Sequence, residues 1–149
     1  YLRMGTLAPL ESVSGDASTS SLHKRREGSD VALVTSGPLL GQEALGAADL
    51  LSKEGVSVAV FTKPELGAAL TDSDAEALAG YTAVLTLENF MPALAHRHHL
   101  SEALSGVSEV TVGHRGIDGV PANGQPAEVL RHHGLDAASI SILVRELNG

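Results

Sequence analysis

Cysteine is missing altogether from these 149 residues, and so is tryptophan. Without thiols there is no disulfide scaffold, no thiolate zinc site and no cysteine nucleophile. Two Phe and two Tyr make up an aromatic share of only 3%. The core must therefore be built from Leu, Val, Ile and Ala, and a stacking platform for single-stranded nucleic acid is poorly supplied. Positive charge is also scarce: 10 Lys and Arg face 18 Asp and Glu, a formal charge of −8. That field repels a phosphate backbone, so no nucleic-acid partner is expected. The basic run His23-Lys24-Arg25-Arg26 is followed at once by Glu27 and Asp30 and reads as a solvated turn. No apolar run approaches the ~18 residues needed to span a bilayer, and no secretory pattern opens the chain. No membrane association and a cytoplasmic location are expected.

What is present is 43% hydrophobic and 19% charged, an ordinary globular composition for one domain. Tyr1-Leu2-Arg3-Met4 reads as the end of a strand whose partners lie upstream, so the chain is expected to be part of something longer. Residues 1–20, rich in Ser, Thr, Gly, Pro and Ala, read as a linker from a preceding domain, and 21–149 as the domain itself. Residues 21–26 also fit a short edge strand. A regular alternation follows. Apolar strands are expected over 31–35, 56–61, 83–87 and 109–112. Between the first two, Leu40, Ala44, Ala47, Ala48 and Leu51 line one face of a helix that Gly55 stops. A short helix capped by Thr71 or Ser73 turns Ala75, Leu78 and Ala79 inward, and another over 92–104 buries Leu100, Ala103 and Leu104. Past a Gly-rich loop, Pro126 opens one closing helix and Gly134 ends it. Asp136 caps the last, where Ile140, Leu143, Val144 and Leu147 share a face. The pattern predicts a three-layer α/β fold: a mostly parallel five-stranded sheet with one antiparallel edge strand and helices on both faces.

Open α/β sheets take ligands at the carboxyl ends of their strands. Ser36-Gly37, entering a helix after a strand, is a candidate anion site, although the glycine spacing is neither dinucleotide-binding nor phosphate-loop in type. A tight strand-to-helix turn explains the same residues. His96 and His99 could share a helix face at a spacing that can serve a metal, with His132-His133 further on, but Glu88 or Asp118 would have to approach as a further ligand, and polar surface histidines are the better reading. Glu88-Asn89-Phe90 closes a strand where a ligand-facing residue would sit, but packing is the better reading, with Phe90 either buried in the core or set in a partner interface. No G-x-S-x-G elbow supports a serine triad.

Residues 26–31, Arg-Glu-Gly-Ser-Asp-Val, followed by Thr35-Ser36-Gly37, resemble the entry to the C-terminal domain of transketolases. Glu43-Ala44-Leu45-Gly46-Ala47-Ala48 with Leu50-Leu51-Ser52 and Glu54-Gly55-Val56-Ser57-Val58 is similar to that family's next segment, Ser52 replacing its Ala. Ile117-Asp118-Gly119-Val120 to Gly124, Glu128-Val129-Leu130 and Gly134-Leu135-Asp136-Ala137 with Ile140 resemble its closing stretch, and Tyr1-Leu2-Arg3 the end of its preceding pyrimidine-binding domain. The resemblance implies a domain of a thiamine-diphosphate enzyme that transfers two-carbon ketol units. In that family the cofactor-binding and pyrimidine-binding domains, of the same enzyme or a partner subunit, carry the diphosphate motif, the Mg ligands and the activating glutamate. This chain is therefore expected to bind no cofactor and supply no catalytic residue alone, and to help build a homo-oligomer. The family's Glu-Glu-His run and Gly-Gly-Leu-Gly are absent: only Glu88 matches, and Pro92-Ala93-Leu94-Ala95-His96 follows. The altered loop makes Glu88, Asn89, Phe90 and His96 candidate interface residues. A stand-alone anion- or nucleotide-binding module and the C-terminal domain of a 2-oxoacid dehydrogenase β subunit are the alternatives.

Overall fold

The computed structural model describes residues 21–64, 69–89, 96–106, 110–117 and 119–148. The linker reading of 1–20 lies outside them. The elements follow in the order β1 (His23–Arg26), β2 (Val31–Thr35), α1 (Pro38–Ser52), β3 (Val58–Thr62), α2 (Asp72–Leu78), β4 (Ala83–Leu87), α3 (His96–Ala103), β5 (Thr111–Arg115), α4 (Pro126–His132) and α5 (Ala137–Asn148). They form the expected five-stranded sheet, in spatial order β1-β3-β2-β4-β5. β2 pairs in parallel with both β3 and β4, β4 pairs in parallel with β5, and β1 runs antiparallel along β3.

All five residues of β2 are buried, as are all five of β4. Because successive side chains point to opposite faces, each strand feeds two cores. Val31, Leu33, Val58, Val60, Ala83 and Leu85 meet α1, α4 and α5 through Leu40, Ala44, Leu51, Leu130, Ile140 and Val144. Ala32, Val34, Ala59, Phe61 and Val84 meet α2 and α3 through Leu78 and Leu100. These two cores make the three layers. Phe61 packs edge-on to Tyr81 at 6.0 Å between ring centroids, so two of the few aromatics fill the thinner core.

The residues 26–31 act as a staple at the amino end of the sheet. A Cβ on Gly28 would lie 2.2 Å from Ala59 N, so only glycine lets the β1–β2 link pass over β3. Asp30 then ties three strands. Its Oδ2 accepts the Ser57 N–H at 2.8 Å and its Oδ1 accepts the Ser29 hydroxyl at 2.8 Å. Its carbonyl accepts both the N–H and the hydroxyl of Thr82, just before β4. α1 and α5 are locked in the same spirit. Glu43 Oε2 accepts the Ala137 N–H at 2.7 Å, satisfying a helix-end donor, and Arg145 grips Glu54 with Nε and Nη2 at 2.8 and 2.7 Å. Gly46 lets the helices close, since its Cβ would come 3.1 Å from that of Ala137.

Four local expectations are corrected. The basic run is strand β1, not a solvated turn: it carries its charge on the sheet edge, where Lys24 pairs with Glu27 and Arg26 with Asp49. β3 starts at Val58 rather than Val56 because the Ser57 amide turns to Asp30. β5 runs on through Gly113-His114-Arg115, paired with Leu85, Thr86 and Leu87, where the sequence suggests a loop. In α2 the buried residues are Leu78 and Asp74, while Ala75 and Ala79 are only half-buried. Asp74 is sequestered because it closes a capping box with Thr71 and accepts the Leu22 N–H at 2.9 Å.

Two outcomes are expected at the staple. Gly28→Ala should lower stability in urea titrations by about 3 kcal/mol, because main chain cannot yield as a side chain can. The hydrogen bonds from Ser57 and then Ser29 hold the Asp30 carboxyl below its ordinary 3.8. A lowered folded-state value stabilises above the ordinary value and is lost as pH falls through the folded one. Asp30→Asn should therefore reduce stability at pH 7 and shrink the further loss of stability between pH 4 and 2, as measured by thermal melts across that range.

Candidate functional site

The chain leaves β2 towards α1 and β3 on one side and crosses to β4 on the other. The switch point thus falls between the carboxyl ends of β2 and β4, where open α/β sheets place their ligands. Ser36 and Gly37 stand at one lip and Glu88 and Asn89 at the other. Gly37 is the N-cap of α1 at φ 81°, with Pro38 next, and no side chain caps that helix. Ser36 is 6% exposed, and its buried Oγ has no hydrogen-bond partner among the described residues.

Polar groups here are buried to an unusual degree. Glu88 and Lys63 are both 0% exposed, each directly after an apolar strand, and both are engaged in further interactions. Lys63 is placed by its own N–H, which donates to the Thr35 carbonyl at 2.9 Å, and Glu88 by its N–H to the Arg115 carbonyl at 3.0 Å. The Glu88 carboxylate lies 3.8 Å from His114 Nδ1, which is 2.8 Å from the Thr86 hydroxyl. Thr86 also reaches the Gly113 carbonyl at 3.5 Å. The Thr86 hydroxyl thus lies within reach of both the imidazole Nδ1 and that carbonyl, and can donate its one proton to only one of them. Among the described residues no group of three or more His, Asp or Glu side chains is placed to hold a metal ion.

Two of the four candidate interface residues, Glu88 and Asn89, are described with their side chains. Glu88 is buried within the domain, Asn89 is half-buried, Phe90 lies outside the described residues and His96 is the first residue of α3. In the histidine cluster His98 is exposed and His99 half-buried, while His132 and His133 meet edge to face at 4.9 Å on the opposite helical layer. Lys63 and His114 escape the sequence reading. Lys63 is absorbed into the loop through Pro64, and His114 falls past the expected end of its strand. The signal that could have found them is position: each stands at or next to the carboxyl end of a strand.

Residues 21–140 match the family described as transketolase, C-terminal domain. A transketolase from Homo sapiens is 36% identical over 108 residues, 70% of this chain and 17% of that protein. Transketolase-like protein 1 from Bos taurus is 36% identical over 101 residues, 66% of this chain and again 17% of the relative. The chain thus spans about a sixth of the curated relatives it matches. Among solved structures, a split-gene transketolase described as an inactive β4 tetramer superimposes with a TM-score of 0.80 at 22% identity, covering 95% of this chain and 46% of that one. A Campylobacter jejuni transketolase gives 0.61 at 18% identity, covering 93% and 20%. These likenesses establish the shared fold. With the match across most of its length, the chain belongs to the transketolase C-terminal domain family.

Proposed function

We propose that this chain serves a transketolase-type thiamine-diphosphate enzyme as its C-terminal domain, supporting subunit assembly and contributing no catalytic residue of its own. The observation that carries this reading is the family match over residues 21–140 in a chain that spans only 17% of its transketolase relatives. In the proposed enzyme, residues 1–20 link the domain to a pyrimidine-binding domain, and the assembly is a cytoplasmic homo-oligomer. The tetramer described for the split-gene transketolase supports an oligomer, and its being described as inactive supports a domain that does not catalyse alone. Among the described residues no helix is long and apolar enough to cross a membrane. The curated relatives favour a transketolase over a 2-oxoacid dehydrogenase subunit or a stand-alone anion-binding module.

Thiamine diphosphate and Mg do not fit the residues described. A diphosphate-bound Mg ion needs a set of oxygen donors, and the buried carboxylate at the switch point, Glu88, has His114 beside it rather than a second carboxylate.

Isothermal titration of the chain with thiamine diphosphate and Mg should show no binding, and tight Mg-dependent binding would contradict the proposal. The altered loop after Glu88 should meet a second copy or the catalytic domains, because burying a Phe side chain is worth about 1.5–3 kcal/mol in a chain poor in aromatics. Phe90→Ser should weaken association in sedimentation while leaving Tm nearly unchanged. An unaltered oligomer at every concentration would exclude Phe90 from the interface.

A further inference from the structure

A second feature lies apart from the switch point, where the end of β5 meets the α4–α5 turn and α5. There a cavity of about 380 Å³ is lined by Arg115, Arg131, His132 and His133, together with Ile142 and Glu146. Two guanidinium groups against one carboxylate leave the groove positive, on a chain whose net charge is −8. Among the described residues neither arginine enters an ion pair. Arg115 is half-buried, and its buried Nε has no hydrogen-bond partner there. The guanidinium lies against the turn at Gly134, whose added Cβ would come 3.9 Å from Nε. A charged donor taken from water and left unmet is costly unless a counter-group completes it. Ile142, 52% exposed, adds an apolar wall.

We propose that this groove binds a small organic anion, its phosphate or carboxylate group held by Arg115 and Arg131. A guanidinium fork matches either group through paired N–H donors. The His132 and His133 rings border the same space, and the cavity is of a size that suits a small molecule rather than a polymer. His133 Nε2 accepts the Ala122 N–H at 3.2 Å, which anchors the loop before α4 to the groove wall. The proposal is independent of the transketolase reading and stands or falls on these residues alone.

The test is a titration of the ¹⁵N-labelled chain with pyrophosphate and, separately, with citrate. The expected result is saturable shifts of the Gly134 and Ser139 amides with at least one probe. Affinity should fall tenfold or more in Arg131→Gln and in Arg115→Gln, and stay unchanged in Lys53→Gln, which removes the same charge from an exposed site elsewhere. Arg131 is exposed, so its variant reads the groove even where Arg115→Gln disturbs β5. Binding of pyrophosphate alone assigns a phosphate ligand and of citrate alone a carboxylate. No saturable shift with either probe, or equal weakening in all three variants, overturns the proposal.

Discussion

The burial of β2 on both faces is the constraint from which the rest of the domain follows. A strand whose every residue is enclosed cannot stand at an edge or face water, so it needs a parallel neighbour on each side and a helical layer above and below. Those neighbours are β3 and β4, and the right-handed crossovers that reach them must run on opposite faces of the sheet. One core takes Leu33 and the other takes Val34. The chain is too poor in aromatics to fill space with a few large rings. It uses branched aliphatics in the strands and alanines in α1, which lets α1 lie close to the sheet and to α5.

The same topology produces the polar end of the sheet. Strands buried on both faces must emerge somewhere, and the residues that follow them emerge together. Lys63 and Glu88 are enclosed at the strand ends, and each backbone is held there by a hydrogen bond to the neighbouring strand or its end. Retaining two ionisable groups in such a place costs desolvation, which partner groups must offset. Beside Glu88 stands His114, its Nδ1 3.8 Å from the carboxylate and 2.8 Å from the Thr86 hydroxyl.

Much of this was legible in the sequence where hydrophobic period and backbone need coincide. β2 and β4 were readable from end to end, since a short run of apolar residues and one threonine bounded by turn residues has few other uses. The motif at 26–31 was recognisable for reasons the structure makes physical: Gly28 is a close approach and Asp30 a three-strand tie. β5 was not readable beyond Val112. It is an edge strand, and His114 and Arg115 take their place from partners on β4, not from any local preference. The buried Lys63 was invisible for a related cause: the sequence shows a lysine beside a proline, and only the fold encloses it. The groove at Arg115 joins residues from β5, α4 and α5, so no spacing along the chain announces it.

The proposed role is that of a domain that works through the chains it meets. Reconstitution tests it most directly. The chain is mixed with a polypeptide carrying the pyrimidine- and cofactor-binding domains of a transketolase-type enzyme, and the mixture is followed by sedimentation and by ketol transfer. The account predicts a stoichiometric complex in which transfer appears or rises at least tenfold over that polypeptide alone. Two species that sediment independently, with transfer unchanged, would contradict it.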